Sequence, residues 1–133
     1  MRNIILIGAS GFLGSQVREE LNRQNDNLLI IENNTVIAAS ANESILKGGI
    51  AALTSEVMTE FQAEIILHCA RPSSSGYKQW GRKKAARKAE NLNTQLLHAL
   101  DQSEFDGALV FASGSLTYGS SILPHNEDSP INP

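Results

Sequence analysis

The feature that most constrains this chain is a glycine-spaced turn, Gly8-Ala9-Ser10-Gly11-Phe12-Leu13-Gly14, between an apolar run and an amphipathic stretch. The run before it, Asn3 to Ile7, is short, β-branched and almost wholly apolar, which predicts a strand buried on both faces, as in a parallel sheet. After it, Leu13, Val17 and Leu21 recur every fourth residue while Arg18, Glu19 and Glu20 fall on the other side, which predicts a helix to about Arg23. Strand, glycine turn and helix in that order give the spacing its meaning. Gly8 lets the chain turn sharply, Gly11 removes a side chain where a pyrophosphate must approach the backbone, and Gly14 lets the helix pack close to the strand. Free N–H groups and the helix dipole then favour phosphate charge. A tight turn with incidental glycines is the bland alternative. The context favours a dinucleotide site built on Gly8, Ser10, Gly11, Phe12, Leu13 and Gly14.

The rest of the chain repeats the alternation. Leu28 to Ile31 predicts a second strand, closed by Glu32-Asn33-Asn34. Thr35 to Leu46 is ambiguous, with a short third strand ending near Gly48-Gly49. Thr54 or Ser55 can cap a helix carrying Val57, Met58 and Phe61 inward. Ala63 to Ala70 predicts a fourth strand. A Pro/Ser/Gly loop follows, then a long helix best patterned at Leu92, Leu96, Leu97 and Leu100, and a fifth strand at Ala108 to Ala112. From Ser113 onward the chain is small, polar and proline-punctuated. Alternating strands and helices predict a doubly wound, Rossmann-type parallel sheet in a three-layer α/β/α domain over residues 1–133, with ligands at the C-terminal strand ends.

Glu32 sits near the offset expected of an acid that accepts hydrogen bonds from the adenosine ribose, with Asn33 beside it. A carboxylate there repels a 2′-phosphate, and no Arg or Lys lies between Glu32 and Lys47 to favour one. NAD is therefore preferred over NADP; a solvent-exposed strand-end acid is the alternative. At 133 residues the chain suits one domain, and its formal charge of −3 gives no reason to expect nucleic acid. Its single cysteine, Cys69, cannot form an intramolecular disulfide, and no apolar run reaches the roughly 18–20 residues of a membrane span. These features predict a cytoplasmic chain without a membrane partner.

Three landmarks, Gly8-x-x-Gly11-x-x-Gly14, Leu67-His-Cys-Ala70 and Phe111-Ala-Ser-Gly-Ser-Leu-Thr-Tyr118-Gly119, resemble in order and spacing the extended short-chain dehydrogenase/reductase family. That family includes NAD-dependent sugar epimerases, dehydratases and reductases. The resemblance covers the whole chain, including the tail Pro124 to Pro133. It implies that Ala70 and Arg71 pass near the nicotinamide-side ribose and phosphates. It also implies that the loop from Pro72 to Tyr77 borders a sugar-like, small-molecule substrate, and that Ser113 to Tyr118 lie beside the nicotinamide.

Three departures stand out. Where the family carries an acid that contacts adenine, this chain reads Gly48-Gly49-Ile50. Where it carries a catalytic Ser or Thr, this chain has Gly114, flanked by Ser113 and Ser115, either of which serves only if the loop is shifted. The family's Tyr and Lys, four residues apart, are missing: Gly81 follows Tyr77 and Ile122 follows Tyr118 at that offset. The resemblance therefore implies an N-terminal piece of a longer enzyme whose catalytic pair comes later. A non-catalytic NAD-binding regulator is the competing reading.

Other residues admit weaker readings. Lys78, Arg82, Lys83, Lys84, Arg87 and Lys88 could attract a phosphorylated or nucleotide-sugar substrate, although a solvated helix face is commoner. His68 and Cys69 point to opposite faces of a strand, so they cannot share a metal ion, and no metal site is expected. One of Asn91, Asn93 and Thr94 occupies a place where related enzymes carry an ordering Asn, with the register open by two residues. The apolar Leu109-Val-Phe111 edge invites pairing, so the chain is expected either to self-associate, as in a homo-oligomer, or to be marginally stable.

Overall fold

The computed structural model describes residues 1–71, 74–113, 119, 121, 122 and 124–132, and for 74–80 the backbone alone. Five strands form one sheet: β1 (Asn3–Ile7), β2 (Asn27–Glu32), β3 (Glu43–Lys47), β4 (Ile65–His68) and β5 (Ala108–Phe111). Every pairing is parallel, in the order β3-β2-β1-β4-β5. The order reverses between β1 and β4, so the switch point of the sheet lies at the ends of those two strands.

Helices cover both faces because alternate strand residues point to opposite sides. Ile4, Leu6, Leu28 and Ile30 pack with Leu21 and Val17 of α1 (Phe12–Arg23). Ile5, Ile7, Leu29, Ile31 and Ile66 pack on the other side with Met58 of α2 (Ser55–Phe61) and with Leu96 and Ala99 of α3 (Ser74–Gln102). A 3-10 turn, Ile50–Ala52, links β3 to α2 and packs against α3. The Thr54 side chain accepts the Val57 N–H at 3.4 Å and caps α2. The expected three-layer, doubly wound architecture is what the chain adopts.

Some boundaries differ from the sequence reading. β4 is shorter than the apolar run 63–70, because Ala63 and Glu64 form the turn that leaves α2. Leu13 is exposed, and Gly14 takes its place against the sheet. Leu97 is also exposed, with Ala99 in its stead in the core. α3 is broken by Gly81 at φ 73°, which separates its first turns from the stretch beginning at Arg82.

The ambiguous segment 35–42 is an irregular crossover held by polar contacts. Arg18 of α1 donates to both carboxylate oxygens of Glu43, at 2.7 and 2.6 Å, and to the Ala38 carbonyl at 2.6 Å. Asn22 and the Ser40 N–H donate to the same carboxylate at 2.8 and 2.7 Å. The Glu43 side chain is fully buried, and the Arg18 hydrogen bonds draw its pKa down to about 2.

Candidate functional site

The turn after β1 has the three glycines in three different environments. Gly8 has φ +89°, and a Cβ there would lie 2.5 Å from the Ala70 nitrogen, so the chain leaving β4 presses directly on it. A Cβ on Gly14 would overlap the Gly8 carbonyl oxygen, which fixes how closely α1 approaches β1. A Cβ on Gly11 would meet only the Gly8 oxygen, at 3.3 Å, with open space on its outer side. Two glycines therefore serve packing, and the third leaves room for a ligand.

Gly11 is the N-cap of α1, in extended conformation, with its N–H donating to the Gly8 carbonyl at 3.0 Å. No side chain caps this end and no acid occupies the first turn. The leading N–H groups of a helix have no partner within it, so here they face the space above Gly11. Ser10, Phe12 and Leu13 are exposed around that space.

Across the sheet, β2 and β3 end together. The Glu32 carbonyl accepts the N–H groups of Gly48 and Gly49, at 3.1 and 2.9 Å. Gly49 has φ +69°, and a Cβ there would sit 3.2 Å from Asn33 Oδ1. Glu32 is only 5% exposed, and its carboxylate accepts the Ile37 N–H at 2.7 Å through Oε2. That bond fixes the carboxylate and leaves Oε1 free of protein partners among the described residues. The geometry thus brings Glu32, Asn33 and the glycine turn to one edge, with Ala70 and exposed Arg71 on the far side of Gly8.

His68 ends β4, 3% exposed, its ring 4.6 Å from that of Phe111. Neither ring nitrogen has a partner at hydrogen-bonding geometry among the described residues. Burial pushes its pKa down, offset in part by the Asn93 side chain, and so favours the neutral imidazole. Sequence reasoning left Asn91 and Asn93 unresolved; the structure puts Asn93, half-buried, beside His68, while Asn91 is exposed. The spacing of Asn93 to buried Leu96 on one helix face was the signal available. Cys69 packs on the opposite, α1-covered face, where burial pushes its thiol pKa up.

Of the substrate-side residues, Ser113 is exposed just beyond β5. Gly114, Ser115 and Tyr118, with the side chains of Tyr77 and Trp80, lie outside the described residues. No helix among the described residues is long and apolar enough to cross a membrane.

Solved structures share this fold. UDP-glucose 4-epimerase from Stenotrophomonas maltophila, solved with NAD and formylated UDP-arabinopyranose, superposes with a TM-score of 0.83 at 21% identity, over 99% of this chain and 43% of that one. UDP-glucose 4-epimerase from Brucella ovis, in complex with NAD, gives 0.81 at 25% identity, over 100% and 42%. The Bordetella bronchiseptica enzyme WbmH, in complex with NAD+, gives 0.79 at 23% identity, over 100% and 46%. The chain therefore spans less than half the length of these proteins. No curated protein sequence matches it. A family model described as the NAD dependent epimerase/dehydratase family matches residues 4–133. With that match over nearly its whole length, on a parallel sheet with a glycine turn at the switch point, the chain belongs to the NAD-dependent epimerase/dehydratase family.

Proposed function

We propose that this chain is the cofactor-holding portion of an NAD-dependent epimerase, dehydratase or reductase that acts on a hydroxyl or carbonyl of a sugar-like substrate. The observation that carries the reading is the open space over Gly11 at an uncapped helix N-terminus, between two glycines that packing requires. A dinucleotide pyrophosphate fits that space, because its charge suits the free N–H groups and the helix dipole. Ser10, Phe12 and Leu13 contribute the surrounding rim. Glu32 Oε1 accepts from the adenosine ribose hydroxyls, and the buried carboxylate disfavours the 2′-phosphate of NADP. Asn33 and the Gly48-Gly49 backbone border the adenine, and Ala70 and Arg71 border the nicotinamide half.

When bound, NAD supplies hydride acceptance from, and return to, a substrate carbon. The residues of this chain bind and orient it; Ser113, exposed just beyond β5, or its near neighbour in sequence Ser115 would offer a hydroxyl to substrate in place of the family's Ser or Thr. No Tyr and Lys four residues apart occur in the sequence, so none of its residues is assigned the family's proton-transfer pair. A structurally similar protein, MoeE5, solved with UDP-glucose and NAD, supports a nucleotide-sugar substrate. Membership of an epimerase/dehydratase family favours this enzyme reading over a regulator.

Calorimetric titration with NAD and NADP tests the proposal. NAD binds the wild type more tightly than NADP, and Gly11→Val abolishes binding while the protein stays folded. Equal, weak binding by wild type and variant would sink the reading.

A further inference from the structure

Seven of the eleven Lys and Arg residues lie between 71 and 88, a stretch without one Asp or Glu, although the chain as a whole carries −3. The fold places this charge at one end. Asn93 of α3 lies beside His68, at the end of β4, so the helix from Arg82 to Asn91 extends past the strand ends. At 1.5 Å per residue, Arg87 stands about 9 Å beyond that edge. The opposite edge is acidic: Glu60, Glu64, Asp101, Glu104 and Asp106 are exposed where α2 and α3 end and β4 and β5 begin.

Local helix chemistry gives no reason for the basic stretch. Arg82, Lys83 and Lys84 directly follow the break at Gly81, where the positive end of the helix dipole disfavours cations. Lys83 and Arg87, and Lys84 and Lys88, are like charges four residues apart, which repel on a helix. Arg82, Lys83, Lys84 and Arg87 have no acidic partner among the described residues. Lys84, Arg87, Lys88 and Asn91 instead line one surface hollow along a flank of α3. A merely solvated helix face would be as well served by mixed charge.

We infer that the stretch of α3 from Arg82 to Asn91 is an electrostatic capture surface, which draws the phosphate-bearing dinucleotide to the C-terminal edge of the sheet against the negative charge of the whole chain. The inference rests on the cofactor reading above and adds how the anion arrives. A cationic pole beside a site raises local anion concentration and the association rate, without contacting the bound ligand. Its effect is on arrival, and it is screened over roughly 10 Å at 0.1 M salt.

The sign of the salt effect tests it. Stopped-flow fluorescence with NADH, which carries two negative charges, measures association and dissociation separately. If net charge governed the encounter, the association rate would rise as salt screens the repulsion. Capture by α3 predicts that it falls. In the K83Q/K84Q/R87Q variant the rate at low salt is about tenfold lower and nearly independent of salt, with dissociation unchanged. Thermal unfolding of the variant occurs at the wild-type temperature or slightly above it, since the removed charges oppose the dipole and one another. An association rate that rises with salt, or is the same in wild type and variant, overturns the capture surface and leaves the cofactor reading intact. A variant less stable than wild type shows that the charges make native contacts, and also overturns it. Failure of both proteins to bind NADH removes the cofactor reading and the inference together.

Discussion

The three glycines of the turn do different physical work, and substitution separates them. Gly14→Ala drives a methyl group into the Gly8 carbonyl, which the backbone of β1 cannot vacate. Urea unfolding shows a loss of about 3 kcal/mol, the upper range for overpacking. Gly11→Ala keeps an ordinary φ and meets only the Gly8 oxygen at 3.3 Å, but alanine is a poorer N-cap than glycine, so it costs about 1 kcal/mol, well below the Gly14 loss. If both substitutions destabilise equally, the division between packing and ligand space is wrong. His68 offers a second test at this scale. Its pKa is held below the ordinary histidine value by burial, so the unfolded chain binds a proton that the native protein refuses. The stability that this contributes is present above the unfolded value and is lost as pH falls through it. His68→Phe removes that component, and the difference between unfolding midpoints at pH 7 and pH 5 shrinks. Both glycine roles were legible from spacing alone. The burial of His68 was not, because it depends on Phe111 and Asn93, each more than 20 residues away along the chain.

At the scale of elements, regular segments were readable and the irregular crossover was not. β1 has the bounds that its apolar run predicts, and α1 ends at Arg23 as its periodicity requires. Residues 35–42 have no such period, since their conformation is set by Arg18 and Asn22 reaching across from α1 to Glu43. Arg18→Met leaves a buried carboxylate with only neutral donors, and costs about 3 kcal/mol in denaturant unfolding. The same pair predicts an acid limb. Glu43 has a folded pKa of about 2 against an ordinary 4.5, so its stabilisation is complete above 4.5 and is lost as pH falls toward 2. Thermal unfolding followed across that window shows the loss in wild type and a flatter profile in Glu43→Gln. The amphipathic pattern of α1 gave Arg18 to solvent, because a helical wheel does not say what crosses its polar face.

For the whole molecule, the outer strand is the exposed feature. Leu109, Val110 and Phe111 of β5 are 37, 54 and 51% exposed, and β5 has no neighbour beyond it in the sheet among the described residues. An apolar edge of this kind pairs with another edge. Sedimentation of the 133-residue chain is expected to show self-association that rises with concentration, and Val110→Lys is expected to reduce it; a strictly monomeric wild type would refute this. By itself, the sequence determined the class of fold, the family resemblance and the position of the glycine turn, because strand and helix periods and turn chemistry are local properties. Tertiary structure alone decided that the chain leaving β4 presses on Gly8, that Glu32 is held by Ile37, and that the basic half of α3 stands past the strand ends. Those facts depend on strand order and on the length by which a helix overruns its sheet, and no local pattern encodes either.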